Sequence, residues 1–278
     1  MGKKIGLFWL KEDFRLKKNL ALIEATQNHD NVIAFYLYKE RKFKHIEAQK
    51  WWIAKSLDEF KKKLSIHNIK LEILKVDSYK PFFQKLLKNN NFKIYWNKIY
   101  EPDYLKFDNY LSKELRKKDI EFKICKGNIL NEIGEVKKAD GTPFKVFTPF
   151  WRNAEKYYLE KVPSQDKKIK KCKKQSSYFK DLINTDTIIP KKYWVKKFES
   201  NWSPNEDSAL KELKDFIDNR MEDYANSRNF PNIIGTSKLS PFIKHGQIHV
   251  ETIWEECVKN KKKGLEKFLA EIGWREFN

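Results

Sequence analysis

The chain has 278 residues, 40% of them hydrophobic, so it can build one large or two ordinary domains with a real core. A net charge of +20 favours a polyanionic partner, although an AT-rich coding bias toward Lys explains part of the excess. The chain opens with no signal peptide and has no apolar run of about 18 residues, so we expect no membrane span. Its three cysteines are far apart in sequence, so we expect free thiols and a cytoplasmic protein. No C-x-x-C or H-E-x-x-H motif indicates a metal site.

The first part of the chain, residues 1–128, alternates predicted strands with predicted helices. Apolar runs predict five strands, at 5–10, 32–38, 71–76, 93–96 and 121–125. Apolar residues at helical spacing predict the intervening helices, at 19–27, 45–65, 79–88 and around 104–115. Because such units are right-handed and place their strands in parallel, we expect a doubly wound α/β domain with a five-stranded parallel sheet and helices on both faces. The loop after the first strand lacks G-x-G-x-x-G, which argues against a nicotinamide dinucleotide there.

Residues 129–201 differ in composition, with more Lys, Gly, Pro, Ser and Asp, and we interpret them as a linker. An apolar island at 147–151 is expected to anchor this linker against the domains. The basic run at 167–174 is more typical of a solvated face than of a binding patch.

Residues 202–278 are predicted to be helical throughout, so the fold class is α/β followed by all-α. Residues 203–206, Ser-Pro-Asn-Glu, match a capping box with proline at the first helical position, and the helix they start is expected to end at Tyr224. Further helices are predicted at 240–244, 250–260 and from 265 to the end. We expect the apolar face of the last helix to need partner helices that the chain does not contain; its residues are Leu265, Phe268, Leu269 and Ile272.

Two stretches carry candidate chemistry. In Gly235-Thr-Ser-Lys-Leu-Ser-Pro241, hydroxyls and one cation crowd a predicted helix start, which suits phosphate, although an ordinary capped helix is the alternative. On the last helix, Glu271, Trp274, Arg275 and Asn278 share one face and could flank a flat polar ligand. The alternative there is a surface salt bridge beside a buried tryptophan.

Five ordered features resemble marks of the photolyase/cryptochrome family: FWLKEDFRL (8–16), KVFTPFWR (145–152), Tyr224, TSKLSPFI (236–243) and EIGWREF (271–277). Residues 97–102, NKIYEP, also fit a motif of the family. Within them, Lys11 and Glu12 stand where the family has an arginine pair, and Lys238 stands where Arg is commoner. Together the segments span nearly the whole chain.

The resemblance implies a Rossmann-like antenna domain at 1–128, a linker at 129–201 and the start of a helical FAD-binding domain at 202–278. It implies light-driven repair of pyrimidine dimers by electron transfer from reduced FAD, with damaged DNA as the partner. The FAD-binding residues it implies are Tyr224, Thr236, Ser237, Lys238, Leu239, Ser240 and Arg275. Glu271, Trp274 and Arg275 would contact the flipped lesion, and Glu101 would contact an antenna chromophore, either methenyltetrahydrofolate or a deazaflavin.

Family members continue well past the last motif, and the residues that contact the flavin ring lie in that missing part. We therefore interpret the chain as a partial gene product or one half of a split gene, assign no catalytic residue within it, and expect it to bind FAD weakly as a monomer and not to repair DNA alone. Two alternatives stay open. One is a cryptochrome-type blue-light sensor, and the other is a non-catalytic remnant that binds a pigment or nucleic acid.

Overall fold

The computed structural model describes residues 4–43, 45–160 and 167–277, which form two compact units. The first unit comprises residues 1–127, 167–206 and 245–247. The second comprises residues 128–166, 207–244 and 248–278. None of the helices in the described ranges is both long and apolar enough to cross a membrane.

The described residues form five strands and eleven α-helices. The strands are β1 (Ile5–Leu10), β2 (Val32–Tyr38), β3 (Lys70–Lys75), β4 (Phe92–Asn97) and β5 (Phe122–Cys125). The helices are α1 (Leu20–Asn28), α2 (Glu47–Ile66), α3 (Tyr79–Leu86), α4 (Pro102–Lys117), α5 (Phe147–Glu160), α6 (Val195–Asn201), α7 (Glu206–Asn219), α8 (Tyr224–Ser227), α9 (Ser240–Lys244), α10 (Val250–Asn260) and α11 (Leu265–Phe277).

The first unit is built on a single sheet in the order β3-β2-β1-β4-β5, and every neighbouring pair is parallel. Successive side chains of β1 point to opposite faces of this sheet. Phe8 and Leu10 join the core that includes residues of α1 and α2. Leu7 and Trp9 join the core that includes residues of α3 and α4. The predicted doubly wound parallel sheet with helices on both faces is therefore confirmed.

The outer edge of β3 is covered by a segment that comes much later in the chain. Leu74 pairs with Leu182 in an antiparallel bridge, and the amide of Ile183 donates to the carbonyl of Ile73 at 2.9 Å. The carboxylate of Glu72, which is fully buried, accepts hydrogen bonds from the amides of residues 178 and 179 at 2.8–3.2 Å. An edge strand of this kind would otherwise offer unpaired amides and carbonyls.

The core of the second unit is an aromatic cluster. Phe216 of α7, Tyr224 of α8 and Phe268 of α11 lie with their ring centroids 4.5–5.4 Å apart. Phe268, Leu269 and Ile272 are all buried, at 3–6% exposure. The expectation that this apolar face lacks partner helices is therefore wrong, because helices within the same unit cover it.

Residues 129–201, predicted as a linker, lie in both units. Helix α5 belongs to the second unit, and residues 167–201 belong to the first. Composition did not reveal the backbone hydrogen bonds that bind this later stretch to the first unit, such as the one from the amide of Cys172 to the carbonyl of His67 at 2.8 Å. All three cysteines are free and buried.

Helix α7 begins at Glu206, two residues after the predicted position. The Glu206 carboxylate accepts hydrogen bonds from the backbone amides of Leu16 and Lys17 at 3.0 and 2.9 Å, and it also pairs with Lys63. In a capping box, the Glu206 carboxylate would instead accept a hydrogen bond from the backbone amide of Ser203. Here its partners are distant in sequence.

A buried ion pair lies close to the carboxyl end of β1. Lys11 Nζ is 2.7 Å from Asp108 Oδ1, and both side chains are almost completely inaccessible. The ammonium group also lies over the rings of Trp9 and Tyr104, 4.4 and 5.4 Å from their centroids. Burial lowers the pKa of Lys11 and raises that of Asp108, while each partner opposes the shift of the other. The charged form of each group is therefore stabilised by the other group.

We predict that Asp108→Ala lowers the free energy of unfolding by about 3–5 kcal/mol, because it leaves the Lys11 ammonium buried without a counter-charge. The double variant Lys11→Met/Asp108→Leu should lose less than the single variant. As a control on the same helix, Glu114→Ala removes an exposed pair with Lys117 and should cost no more than about 0.5 kcal/mol. Urea unfolding measures all three, and equal losses for Asp108 and Glu114 would contradict the role of burial.

Candidate functional site

The loop before α9 is held close to α8. A methyl group built on Gly235 would overlap the backbone carbonyl of Ser227, so only glycine allows this approach. Leu239 is fully buried and anchors the loop to the core. Between them, Lys238 has a φ of +53°, in the left-handed region that residues other than glycine rarely adopt. The loop conformation is therefore fixed from both ends.

Three hydroxyl side chains of this loop differ in their surroundings. Thr236 and Ser240 are exposed, whereas Ser237 is half-buried and its Oγ accepts a hydrogen bond from the amide of Leu239 at 3.4 Å. Arg220 donates to the carbonyl of Thr236 at 2.8 Å. Helix α9 begins at Ser240 as predicted but has only five residues, so its dipole adds little. Any anion held here would depend on hydroxyls, loop amides and Lys238.

Tyr224 begins the short helix α8, whereas the sequence predicted that it ends the preceding helix. Its ring is 7% exposed and packs edge-on against Phe216 and Phe268. Burial raises the pKa of its hydroxyl. The guanidinium of Arg228, four residues later, lies 5.4 Å from the centroid of the ring. Tyr224 is therefore mainly a core residue that positions Arg228.

Glu271 connects α11 to α8. Its carboxylate forms an ion pair with Arg228 and lies 3.8 Å from Lys267 Nζ. Because Arg228 also lies over Tyr224, the structure brings Glu271 into the neighbourhood of Tyr224.

Trp274 lies one turn further along α11 and is 41% exposed, so it is not a core residue. Its indole stacks on the ring of Phe147 with centroids 3.8 Å apart and planes 8° from parallel. Phe277 meets it edge-on at 6.0 Å. The indole thus has one covered face, and the rest of its surface is partly open to solvent.

Helices α5 and α11 approach closely between these aromatic contacts. A methyl group on Gly273 would overlap the indole of Trp151, so the small residue sets the distance between the helices. Phe150 and Phe277 pack nearby at 5.2 Å. The motifs at 145–152 and 271–277, more than a hundred residues apart in sequence, therefore form one packed structure.

Arg275 is exposed, and its Nη1 lies 3.1 Å from Glu276 Oε1. The other carboxylate oxygen of Glu276 accepts hydrogen bonds from the amides of Leu130 and Asn131 at 2.8 and 3.3 Å. Arg275 consequently points to the surface beside Trp274, and Glu276 fixes the last turn of α11. Asn278, predicted on the same face, lies outside the described residues.

Sequence reasoning missed two residues of this arrangement. Arg228 lies four residues after Tyr224, a spacing that places both on one helical face, and this was the available signal. Phe147 was placed in an apolar island and in the motif at 145–152, but its stack on Trp274 was not predicted, because a contact across more than a hundred residues leaves no local pattern.

Glu101 lies in the first unit. It is exposed and directly precedes Pro102, where α4 begins at the carboxyl end of β4. Nearby, Lys42 Nζ donates to Glu12 Oε1 and to the Tyr104 hydroxyl, each at 3.0 Å. Burial alone would lower the pKa of Lys42, but Glu12, together with Tyr79 and Glu101, outweighs it and the net shift is upward. Glu12, which stands where the family has an arginine, is therefore paired with Lys42 in this structure.

A cavity of about 410 Å³ opens near the carboxyl ends of β2 and β3. Its described lining is mixed in charge and consists of Glu40, Arg41, Phe43, Glu47, Lys50, Lys75, Val76 and Asp77. Glu101 does not belong to this lining. Within the described ranges, no group of three or more His, Cys, Asp or Glu residues is arranged to hold a metal ion.

Comparison with known proteins decides the family. The family model for DNA photolyase matches residues 6–168, which is more than half of the chain. The chain belongs to the DNA photolyase family. The deoxyribodipyrimidine photo-lyase of Agrobacterium fabrum (strain C58) is 29% identical to it over 280 residues.

Two solved structures extend this likeness to the fold. A bacterial class III photolyase from Agrobacterium tumefaciens superposes with a TM-score of 0.85 at 26% identity, covering 100% of this chain. An archaeal photolyase from Sulfolobus tokodaii, solved with two FAD molecules, superposes with a TM-score of 0.72 at 20% identity and 98% coverage. The chain spans 57% of the length of the Agrobacterium fabrum relative and 58% of each structure.

We predict that Gly273→Ala destabilises the second unit. Alanine gains about 1 kcal/mol of helix propensity, but the overlap with Trp151 costs roughly 1–3 kcal/mol, so the net effect is a loss. In a Trp151→Leu background the overlap is relieved, and the same change should be neutral or stabilising. Chemical denaturation of the four proteins measures this coupling, and an identical effect of Gly273→Ala in both backgrounds would disprove it.

Proposed function

We propose that this chain supplies the FAD-phosphate loop and part of the lesion-binding surface for light-driven repair of pyrimidine dimers in DNA. The observation that supports this best is the link between α8 and α11. Through Arg228, Glu271 is tied to Tyr224, and Trp274 is left partly exposed one turn away on the same helix. Tyr224, which the family motifs assign to the cofactor, and Glu271, which they assign to the substrate, are thus linked through Arg228.

The loop residues fit a diphosphate in their chemistry. Thr236 and Ser240 present exposed hydroxyls, and Lys238 adds an exposed cation. Residues 235–240 contain no carboxylate that would repel an anion. Tyr224, Ser237 and Leu239 would hold the loop in place, and Arg275 would lie between cofactor and substrate. When bound, reduced FAD would supply the electron that splits the dimer after light absorption.

The exposed part of Trp274 suits a base that has been flipped out of the duplex, since such enzymes hold the base by stacking and edge hydrogen bonds. Phe147 covers one face of the indole, which leaves the other side for the lesion. Glu271 would accept hydrogen bonds from the bases. Lysines on the surface would bind DNA phosphates in a salt-dependent way.

We also propose that Glu101 contacts an antenna chromophore, either methenyltetrahydrofolate or a deazaflavin. Its carboxylate is exposed at the carboxyl end of β4 and could accept hydrogen bonds from a pterin-like ring. Ligands of parallel α/β sheets commonly bind at this edge.

For the cofactor, we predict that Thr236→Ala and Ser240→Ala each weaken FAD binding by about 1.5–3 kcal/mol, because each removes a hydrogen bond to a charged phosphate. Thr142→Ala is the control, since this exposed hydroxyl is bonded to Asp140 elsewhere in the second unit. Titration of flavin fluorescence measures the affinities. Equal affinities for all four proteins would rule out the phosphate contact.

For the substrate, we predict that Trp274→Ala lowers affinity for dimer-containing DNA by about 1–3 kcal/mol in the dark, the usual contribution of a stacked base. Affinity for undamaged duplex should not change. Trp194→Ala, which removes a tryptophan packed on Phe198 in the first unit, is the control. An equal loss on damaged and undamaged DNA would mean that Trp274 does not contact the lesion.

The expectation that this chain alone does not repair DNA stays a prediction. A light-dependent loss of dimers from DNA in the presence of the purified chain would contradict it. Flavin binding without any preference for dimers would favour the cryptochrome-type light sensor.

A further inference from the structure

The first unit displays a concentrated set of lysines that the proposed repair site does not use. Residues 167–174, here called the basic segment, read KKIKKCKK, so six of eight positions are lysine. The segment contains neither helix nor strand. All six lysines are exposed.

Hydrogen bonds along its length hold the basic segment in one place. It crosses the loops that precede β2 and β3: the amide of Cys172 donates to the carbonyl of His67, and the amide of Lys173 donates to the carbonyl of Asp30, each at 2.8 Å. Asn68 Nδ2 donates to the carbonyl of Cys172 at 2.8 Å, and Gln27 Nε2 donates to the carbonyl of Lys168 at 2.8 Å. The lysines are therefore carried by a fixed backbone.

The two apolar side chains of the segment point the other way. Cys172 is 5% exposed and belongs to the core, and Ile169 packs against that core. Lys173 lies 3.7 Å from Asp30. The other five lysines of the basic segment, Lys167, Lys168, Lys170, Lys171 and Lys174, form no ion pair within 4.0 Å with any described residue. Like charges on one short segment repel each other, and only Lys173 has a carboxylate partner among the described residues.

We propose that the basic segment is a second DNA-contacting surface, which binds the phosphate backbone of a duplex without reading its sequence. Eight residues reach at most about 28 Å, and a DNA strand carries one charge per about 3.4 Å of helix axis, so several phosphates fit along the segment. Lysine makes point-charge contacts with phosphate and reads bases less well than arginine, which suits binding without sequence preference.

The same charges could attract an anionic membrane, but the side chains argue for DNA. Stable binding to a membrane surface needs apolar groups that insert beside the charges. In this segment Ile169 and Cys172 are turned into the protein, so the surface offers charge alone.

The test is the salt dependence of binding to an undamaged, fluorescently labelled duplex of about 30 base pairs, which does not depend on lesion recognition. The variant K168Q/K170Q/K171Q/K174Q should lower the slope of log affinity against log salt by about 2–4, since each lost phosphate contact removes about 0.9. The arginine variant K168R/K170R/K171R/K174R should retain the slope, because it keeps the charges.

A matched control removes four exposed lysines from the region of α3 and α4, as K85Q/K88Q/K106Q/K118Q. Net charge falls equally, so a slope change below about 1 is expected if the basic segment contacts the DNA. Equal slope changes in both glutamine variants would overturn the proposal, because net charge alone would then explain binding. Binding to phosphatidylserine vesicles without binding to the duplex would also overturn it. Circular dichroism confirms that each variant is folded.

Discussion

The arrangement of the second unit depends on the absence of a side chain at position 273. Because Gly273 has no Cβ, the indole of Trp151 can lie against α11, and the two helices pack at short range. This approach brings Phe147 under Trp274 and leaves part of the indole exposed. A candidate binding surface is therefore produced by a packing requirement, and the residues that support it lie outside the motif that carries it.

Charge has two separate uses in this chain. Inside the first unit, Lys11 and Asp108 are buried together, and each would be costly without the other. At the surface, most lysines face solvent, and they raise the net charge of the protein without forming part of a specific site. The candidate phosphate loop contains a single cation, Lys238, while nearby Arg220 is already paired with Glu212 and Asp215. Recognition at that loop would therefore rest on hydroxyl groups and a fixed backbone more than on accumulated charge.

Much of the fold could be predicted from the sequence because its signals are local. The five strands begin and end within about a residue of their predicted positions, since buried parallel strands form continuous apolar runs. Predictions failed where a residue bonds to partners distant in sequence. The predicted capping box at 203–206 is one case, because Glu206 accepts hydrogen bonds from the amides of Leu16 and Lys17. The motifs located Glu271 and Trp274, but their partners Arg228 and Phe147 became visible only through contacts between helices.

The late segment that covers β3 affects how the protein can be made. During synthesis, β3 and its buried Glu72 leave the ribosome more than a hundred residues before the amides at 178 and 179 that the carboxylate requires. At translation rates of about 5–20 residues per second, that delay lasts about 5–20 seconds. Throughout this interval the nascent sheet has an open edge, which can pair with another unfinished chain on the same polysome. The first unit can therefore complete its sheet edge only after residues 178–183 have been synthesised.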